Sequence, residues 1–132
     1  MKELITVYGS ATPTASNLSD IFTLYSPIAY NTFNYIRIPK GTKMKIWAKR
    51  ISGTTSFTFE IHYTPDITQP RPFWITLESE HLSSPGTLEL EKRKPIIING
   101  FTGNEAIQLI YSDTGGSGTI SVEVDIEITD EE

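Results

Sequence analysis

The residues able to do chemistry are few and scattered. His62 and His81 are the only histidines, and a proton relay or a metal site would need them to converge with carboxylates. His62 alternates onto the polar side of its run, and His81 follows Glu80 in a stretch that reads as a loop, so both are expected on the surface. Cysteine is absent, which excludes disulfides, zinc–thiolate sites, iron–sulfur clusters and thiol nucleophiles together. No serine stands in a Gly-x-Ser-x-Gly elbow. Gly115-Gly116-Ser117-Gly118 is a flexible turn rather than a phosphate loop, because no Gly-Lys-Ser/Thr follows and no helix begins there. Glu123, Asp125 and Glu127 stand at i, i+2 and i+4, where carboxylates on one strand face can join a calcium shell if loop oxygens complete about six to eight ligands. Lacking an Asp-x-Asp-x-Asp loop, they read as solvated outward carboxylates opposite a second ladder, Lys43, Lys45 and Lys49. No catalytic residue, metal ligand or cofactor is assigned.

Aromatic side chains supply the second signal. Trp47 shares a face with the lysines, and Trp74 alternates against Phe73, Ile75 and Leu77, which places one or both tryptophans outward. Tyr30 and Tyr35 cluster upstream with Phe33. Exposed aromatics on a sheet can stack on sugar rings, with Asn31, Asn34, Glu60 and His62 as hydrogen-bonding partners. They can equally anchor a protein–protein contact, where Trp, Tyr and Arg are favoured, or simply cover sheet edges and core ends.

The elements that must position these residues are strands. Period-two alternation dominates the sequence. In Thr119 to Ile128 it sets Ile120, Val122, Val124, Ile126 and Ile128 against Thr119, Ser121, Glu123, Asp125 and Glu127. In Ser56 to Tyr63 it sets Phe57, Phe59, Ile61 and Tyr63 against Ser56, Thr58, Glu60 and His62, and in Thr42 to Ile51 it sets Met44, Ile46 and Ala48 against Lys43, Lys45, Trp47 and Lys49. Shorter strands are predicted over Leu4 to Tyr8, Ile21 to Tyr25, Phe33 to Ile38, Phe73 to Glu78, Thr87 to Glu91, Pro95 to Ile98 and Ala106 to Tyr111. Pro39-Lys40-Gly41 and Ser52-Gly53-Thr54-Thr55 predict adjacent hairpins that join three strands in a meander. No segment carries an apolar stripe at helical spacing for three turns. The 12 Ser, 17 Thr and 18 Ile suit pleated surfaces better than helices. The fold class is therefore all-β: a single antiparallel two-sheet β-sandwich, jelly-roll or immunoglobulin-like, with a closed barrel as the alternative.

A length of 132 residues fits one domain. Lys plus Arg is 11 and Asp plus Glu is 16, a net charge of −5, which argues against a nucleic-acid partner. No apolar run is long enough for a membrane span or a secretory signal, so the chain is expected to be made and kept in the cytoplasm unless it leaves by lysis or inside a particle. Residues 1–19 read as an N-terminal strand and a Ser/Thr/Pro-rich link. Leu4, Ile5, Val7 and Tyr8 are the candidate assembly residues, because a short apolar strand before such a link can pair with a neighbour's sheet edge. An ordinary crossover between the two sheets is the plainer reading of that link. Residues 129–132 read as a solvated acidic tail.

The run Tyr35-Ile36-Arg37-Ile38-Pro39-Lys40-Gly41-Thr42-Lys43-Met44-Lys45-Ile46 resembles the strand, Pro-x-Gly turn, strand arrangement of small β-sandwich structural proteins of phage and virus particles. Leu88 to Ile98 and Gly103 to Leu109 have the same character. The resemblance implies a non-catalytic capsid decoration or minor capsid protein located in the virion. Such a protein would be a homo-oligomer, with a trimer favoured, bound to a major capsid protein or another virion protein. The alternative class is a carbohydrate-binding module using exposed Trp and Tyr residues.

Overall fold

The computed structural model describes residues 2–26, 32–90 and 94–130. Alternating β-branched and aromatic residues form strands there because such side chains pack well on a pleated, half-buried surface. The strands are β1 (Lys2–Ala11), β2 (Asp20–Ile21), β3 (Thr23–Tyr25), β4 (Ile36–Arg37), β5 (Thr42–Gly53), β6 (Phe57–Thr64), β7 (Ile75–Leu82), β8 (Gly86–Glu89), β9 (Ile96–Asn99), β10 (Ala106–Ser112) and β11 (Ile120–Asp130). All pairings are antiparallel. The first sheet runs β3-β1-β11-β5-β8, with β9 also on β5; the second runs β2-β10-β6-β7, with β4 also on β10.

The two sheets enclose one core, giving the β-sandwich that the alternation predicts. Ile120, Val122, Val124, Ile126 and Ile128 of β11 are buried against Phe57, Phe59 and Ile61 of β6 and their neighbours. Phe22 lies at the centre, in edge-to-face contact with Phe57, Phe59 and Tyr111 at centroid separations of 6.2, 6.3 and 5.3 Å. Gly9 makes room for it: a Cβ there would stand 2.8 Å from Val122 Cγ1 and 3.0 Å from Phe22 Cβ.

Several connections differ from the sequence reading. Ile21 to Tyr25 is not one strand. Its chain pairs with β10 at Ile21, then crosses at buried Phe22 to pair with β1 at Thr23. The predicted meander is also absent, because β4 lies in the second sheet, β5 in the first and β6 in the second. Pro39-Lys40-Gly41 and Ser52-Gly53-Thr54-Thr55 are therefore corners between sheets. Turn residues report that the chain reverses, but not whether the returning strand pairs or crosses the core. Strand β7 begins later and extends to Leu82, so His81 is in a strand. Thr129 and Asp130 continue β11 opposite Lys43 and Thr42.

One loop is built around a carboxylate. Glu105 is buried and accepts hydrogen bonds from the backbone N–H groups of Phe101 (2.8 Å), Thr102 (3.2 Å) and Gly103 (3.0 Å) and from the Thr102 hydroxyl (3.1 Å). Its own carbonyl accepts from Ile38 N–H, which ties this loop to the corner that opens β5.

Candidate functional site

The outer face of the first sheet carries most of the polar side chains singled out above, and register sorts them into rows. Tyr25, Tyr8, Glu123, Arg50 and Glu89 form one row across five strands. The next contains Thr6, Asp125 and Trp47; a third contains Leu4, Glu127, Lys45 and Ile97. The carboxylate ladder thus faces the lysine ladder, as the alternation implies, with Trp47 interposed opposite Asp125.

A β-bulge governs the centre of this face. Register on β5 shifts between Glu123 and Val124, which pair with Arg50 and Ala48, leaving Lys49 as the extra residue. A bulge inserts one residue and resets the alternation. Ile51 consequently returns to the core, while Lys49 and Arg50 both remain outside. Both cations reach one carboxylate: Lys49 Nζ is 3.5 Å and Arg50 Nη2 3.7 Å from Glu123 Oε2. Glu123 is only 6% exposed, not a solvated outward residue. Its hydrogen bond and negative charge hold the Tyr8 phenol above its ordinary pKa, and Tyr8 stacks on Tyr25 at 5.5 Å and 21°.

These residues line a groove of about 360 Å³ between Trp47, Arg50, Glu89, Glu123 and Asp125. A second depression of about 150 Å³ shares Arg50 and Glu123 with it and reaches Tyr8 and Tyr25. A third of about 410 Å³ shares Trp47, Lys49 and Asp125 and reaches Leu4 and Thr6. The shared lining makes one trough across the sheet. Asp125 accepts a 3.1 Å hydrogen bond from the Thr6 hydroxyl.

The four candidate assembly residues fall on β1, which pairs with β11 of its own chain along its whole length. Val7 is buried in the core and Ile5 packs against it, whereas Leu4 is 65% exposed and Tyr8 lies in the trough wall. On the other side of β1, only Tyr8, Gly9 and Ser10 are paired with β3 among the described residues. Leu24 of β3 exchanges both backbone hydrogen bonds with Phe33, so Thr23 and Tyr25 direct theirs toward β1 at Ser10 and Tyr8. By alternation, Leu4 and Thr6 turn their N–H and C=O groups to the same edge.

The remaining aromatic candidates do not join this site. Trp74 is partly covered while its neighbour Phe73 is 70% exposed, the reverse of the facing read from the alternation, because the residues preceding β7 are outside the paired ladder. Tyr35 is 40% exposed beside β4 in the other sheet, and Tyr30 and Asn31 lie outside the described residues. His62 and His81 are both on β6–β7, hydrogen-bonded to the hydroxyls of Thr76 (3.2 Å) and Thr58 (2.8 Å). No group of three or more His, Asp or Glu residues is arranged to hold a metal ion among the described residues.

Arg50, Glu89 and the buried role of Glu123 escape a reading by strict alternation. The available signal is the spacing Ile46-x-Ala48-x-x-Ile51, where the apolar period lengthens from two to three.

No family model and no curated protein matches this sequence. Solved structures do resemble it. A chain from the structure "Bacillus endospore appendages form a novel family of disulfide-linked pili" is 11% identical, with a TM-score of 0.50 over 100% of this chain and 90% of that one. Capsid-protein chains of infectious bursal disease virus match at 9% identity and TM-score 0.52 for the Gx strain, and at 10% and 0.51 for the Gt strain. Each match covers 98% of this chain, but only 32% and 33% of the viral ones. The present chain therefore spans about a third of the viral chains it matches. At such identities the likeness is one of fold, and the fold is one shared with virion β-proteins, in agreement with the resemblance read from the sequence.

Proposed function

We propose that this chain is a non-catalytic structural subunit of a virus or phage particle, a decoration or minor capsid component that coats the shell as a homo-oligomer, with a trimer favoured. The observation that carries the proposal is the contrast between its sheet edges. Strand β7, at one edge of the second sheet, directs Glu78 and Glu80 toward the core side, opposite inward Ile61 and Phe59. Inward charges on an edge strand discourage further pairing. Among the described residues, strand β1 has no such guard over Leu4 to Val7 and no partner there on the side away from β11, and Leu4 adds an exposed apolar side chain beside those backbone groups.

The strand order supports the same reading. The order β3-β1-β11-β5-β8 with β9, and β2-β10-β6-β7 with β4, favours the jelly-roll form of the sandwich over the immunoglobulin-like one, and jelly rolls are common in viral capsid and lectin domains. The structural neighbours come from a virus and from pili. These 132 residues contain no cysteine, so a disulfide link of the kind named for the appendage is not open to them, and association would use backbone pairing and apolar contact.

Leu4→Pro tests the edge. Proline at this position removes an edge-facing N–H but spares the β11 ladder, whose bonds come from Glu3, Ile5 and Val7, and edge strands tolerate it. Sedimentation velocity should find an oligomer for the parent chain and a monomer for the variant, with unchanged far-UV circular dichroism. A parent chain that is monomeric at tens of micromolar, or a folded variant that keeps the oligomer, refutes the proposal.

A further inference from the structure

We infer that the trough on the outer face of the first sheet, centred on Trp47 at the Lys49 bulge, is a binding site for a neutral oligosaccharide. This inference stands apart from the assembly reading, since it uses the sheet face rather than its edge. Its chemistry narrows the ligand by elimination. The indole of Trp47, with Ala48 and Leu90, offers an apolar surface among Lys49, Arg50, Glu89, Glu123 and Asp125. An apolar ligand would strip water from the solvent-accessible Lys49, Arg50, Glu89 and Asp125 without replacing their hydrogen bonds, which is costly. An anion would meet three carboxylates, and the two cations able to attract it are already within 3.5 and 3.7 Å of buried Glu123. A cation would meet Lys49 and Arg50. A sugar ring satisfies both kinds of lining: its C–H face lies on indole, and its hydroxyls donate to carboxylates and accept from the guanidinium.

The bulge is what makes the site. Without it, Arg50 would point into the core and Ile51 would occupy the groove floor. With it, two adjacent cations are held outside, both beside a carboxylate that is itself nearly fully buried, so donors and acceptors stand together along the groove wall. The trough also continues on either side of Trp47, toward Tyr8 and Tyr25 and toward Leu4 and Thr6. It crosses β1, β11, β5 and β8, about 15 Å at the usual strand spacing of about 4.8 Å. An oligosaccharide fits this length better than a single sugar.

The test uses the full chain on an array of neutral oligosaccharides of glucose, galactose, mannose and N-acetylglucosamine, with sulfated and sialylated glycans alongside. The best neutral ligand is then titrated by tryptophan fluorescence in a Trp74→Phe background, where Trp47 is the sole reporter. Binding should weaken at least about tenfold in Trp47→Ala and about threefold or more in Asp125→Asn, and the trisaccharide should bind more tightly than its monosaccharide. Asp125→Asn preserves shape, and thermal melting of each variant separates a lost site from a lost fold. The inference is overturned if no neutral glycan binds, if only the charged glycans bind, or if the folded variants bind like the parent.

Discussion

Replacing Glu105 should loosen the loop that joins β9 to β10, and the size of the effect follows from its contacts. The carboxylate is buried and accepts from three consecutive backbone N–H groups and the Thr102 hydroxyl. Phe101 and Thr102 are exposed, so water can re-solvate part of what Glu105→Ala leaves behind. The lower end of the usual range, about 1 kcal/mol for each of three backbone bonds, gives a loss of about 3 kcal/mol. For a domain of this size that is about 10 °C in melting temperature. The pH dependence is a sharper check. Burial alone would raise the Glu105 pKa, but its own N–H and those of Phe101 and Thr102, with the Thr102 hydroxyl, outweigh it and hold the group below its ordinary value. A carboxylate depressed on folding contributes stability that is full above its unfolded pKa and is lost as pH falls through the folded one. Urea unfolding of the parent and of Glu105→Gln should therefore show a gap that is constant near neutrality and narrows as pH drops below about 4.5. A gap that persists unchanged to about pH 2.5, or an alanine variant as stable as the parent, would refute the account.

Other positions give independent checks. Phe22→Ala removes the ring at the centre of the core and should cost about 3 to 5 kcal/mol in chemical denaturation; a loss under about 1 kcal/mol would mean that the aromatic cluster does not hold the sheets together. Gly9→Val places a branched side chain where a single Cβ already meets Val122 and Phe22, and should destabilise by about 1 to 3 kcal/mol through overpacking, measured by thermal melting. The Tyr8 phenol titrates above its ordinary range because of Glu123, so Glu123→Gln should lower its midpoint in an ultraviolet titration read as a difference against Tyr8→Phe. An unchanged midpoint would remove Glu123 as the cause.

Strong alternation made the long strands legible. Ile120 to Ile128 and Phe57 to Ile61 bury the apolar residues their spacing predicts, because a period of two admits only one set to the core, while Tyr63, beyond a register shift at Ile61/His62, is only partly buried. Weak alternation misled where a strand lies at an edge. At β7 the apolar residues Phe73, just before the strand, and Ile75, its first residue, are exposed while Glu78 and Glu80 turn inward, since an edge has solvent within reach of both faces. The candidate site was half legible: Trp47 and the two charge ladders stood out, but the convergence of Lys49 and Arg50 on Glu123 required one inserted residue whose only trace is a spacing of three.

By itself the sequence determined that this chain forms antiparallel strands around one apolar core without cysteine chemistry, because composition and period act through local sterics and burial. Only the tertiary structure decided which strands are neighbours. Among the named strands, β6 and β7 alone are adjacent both in sequence and in a sheet. Pairing is set by backbone hydrogen bonds between distant segments, to which turn residues and alternation are blind. That long-range pairing places β1 between β3 and β11, with its first half paired only to β11 among the described residues, brings Glu123 of β11 against Lys49 and Arg50 of β5, and lays Trp47 in a trough.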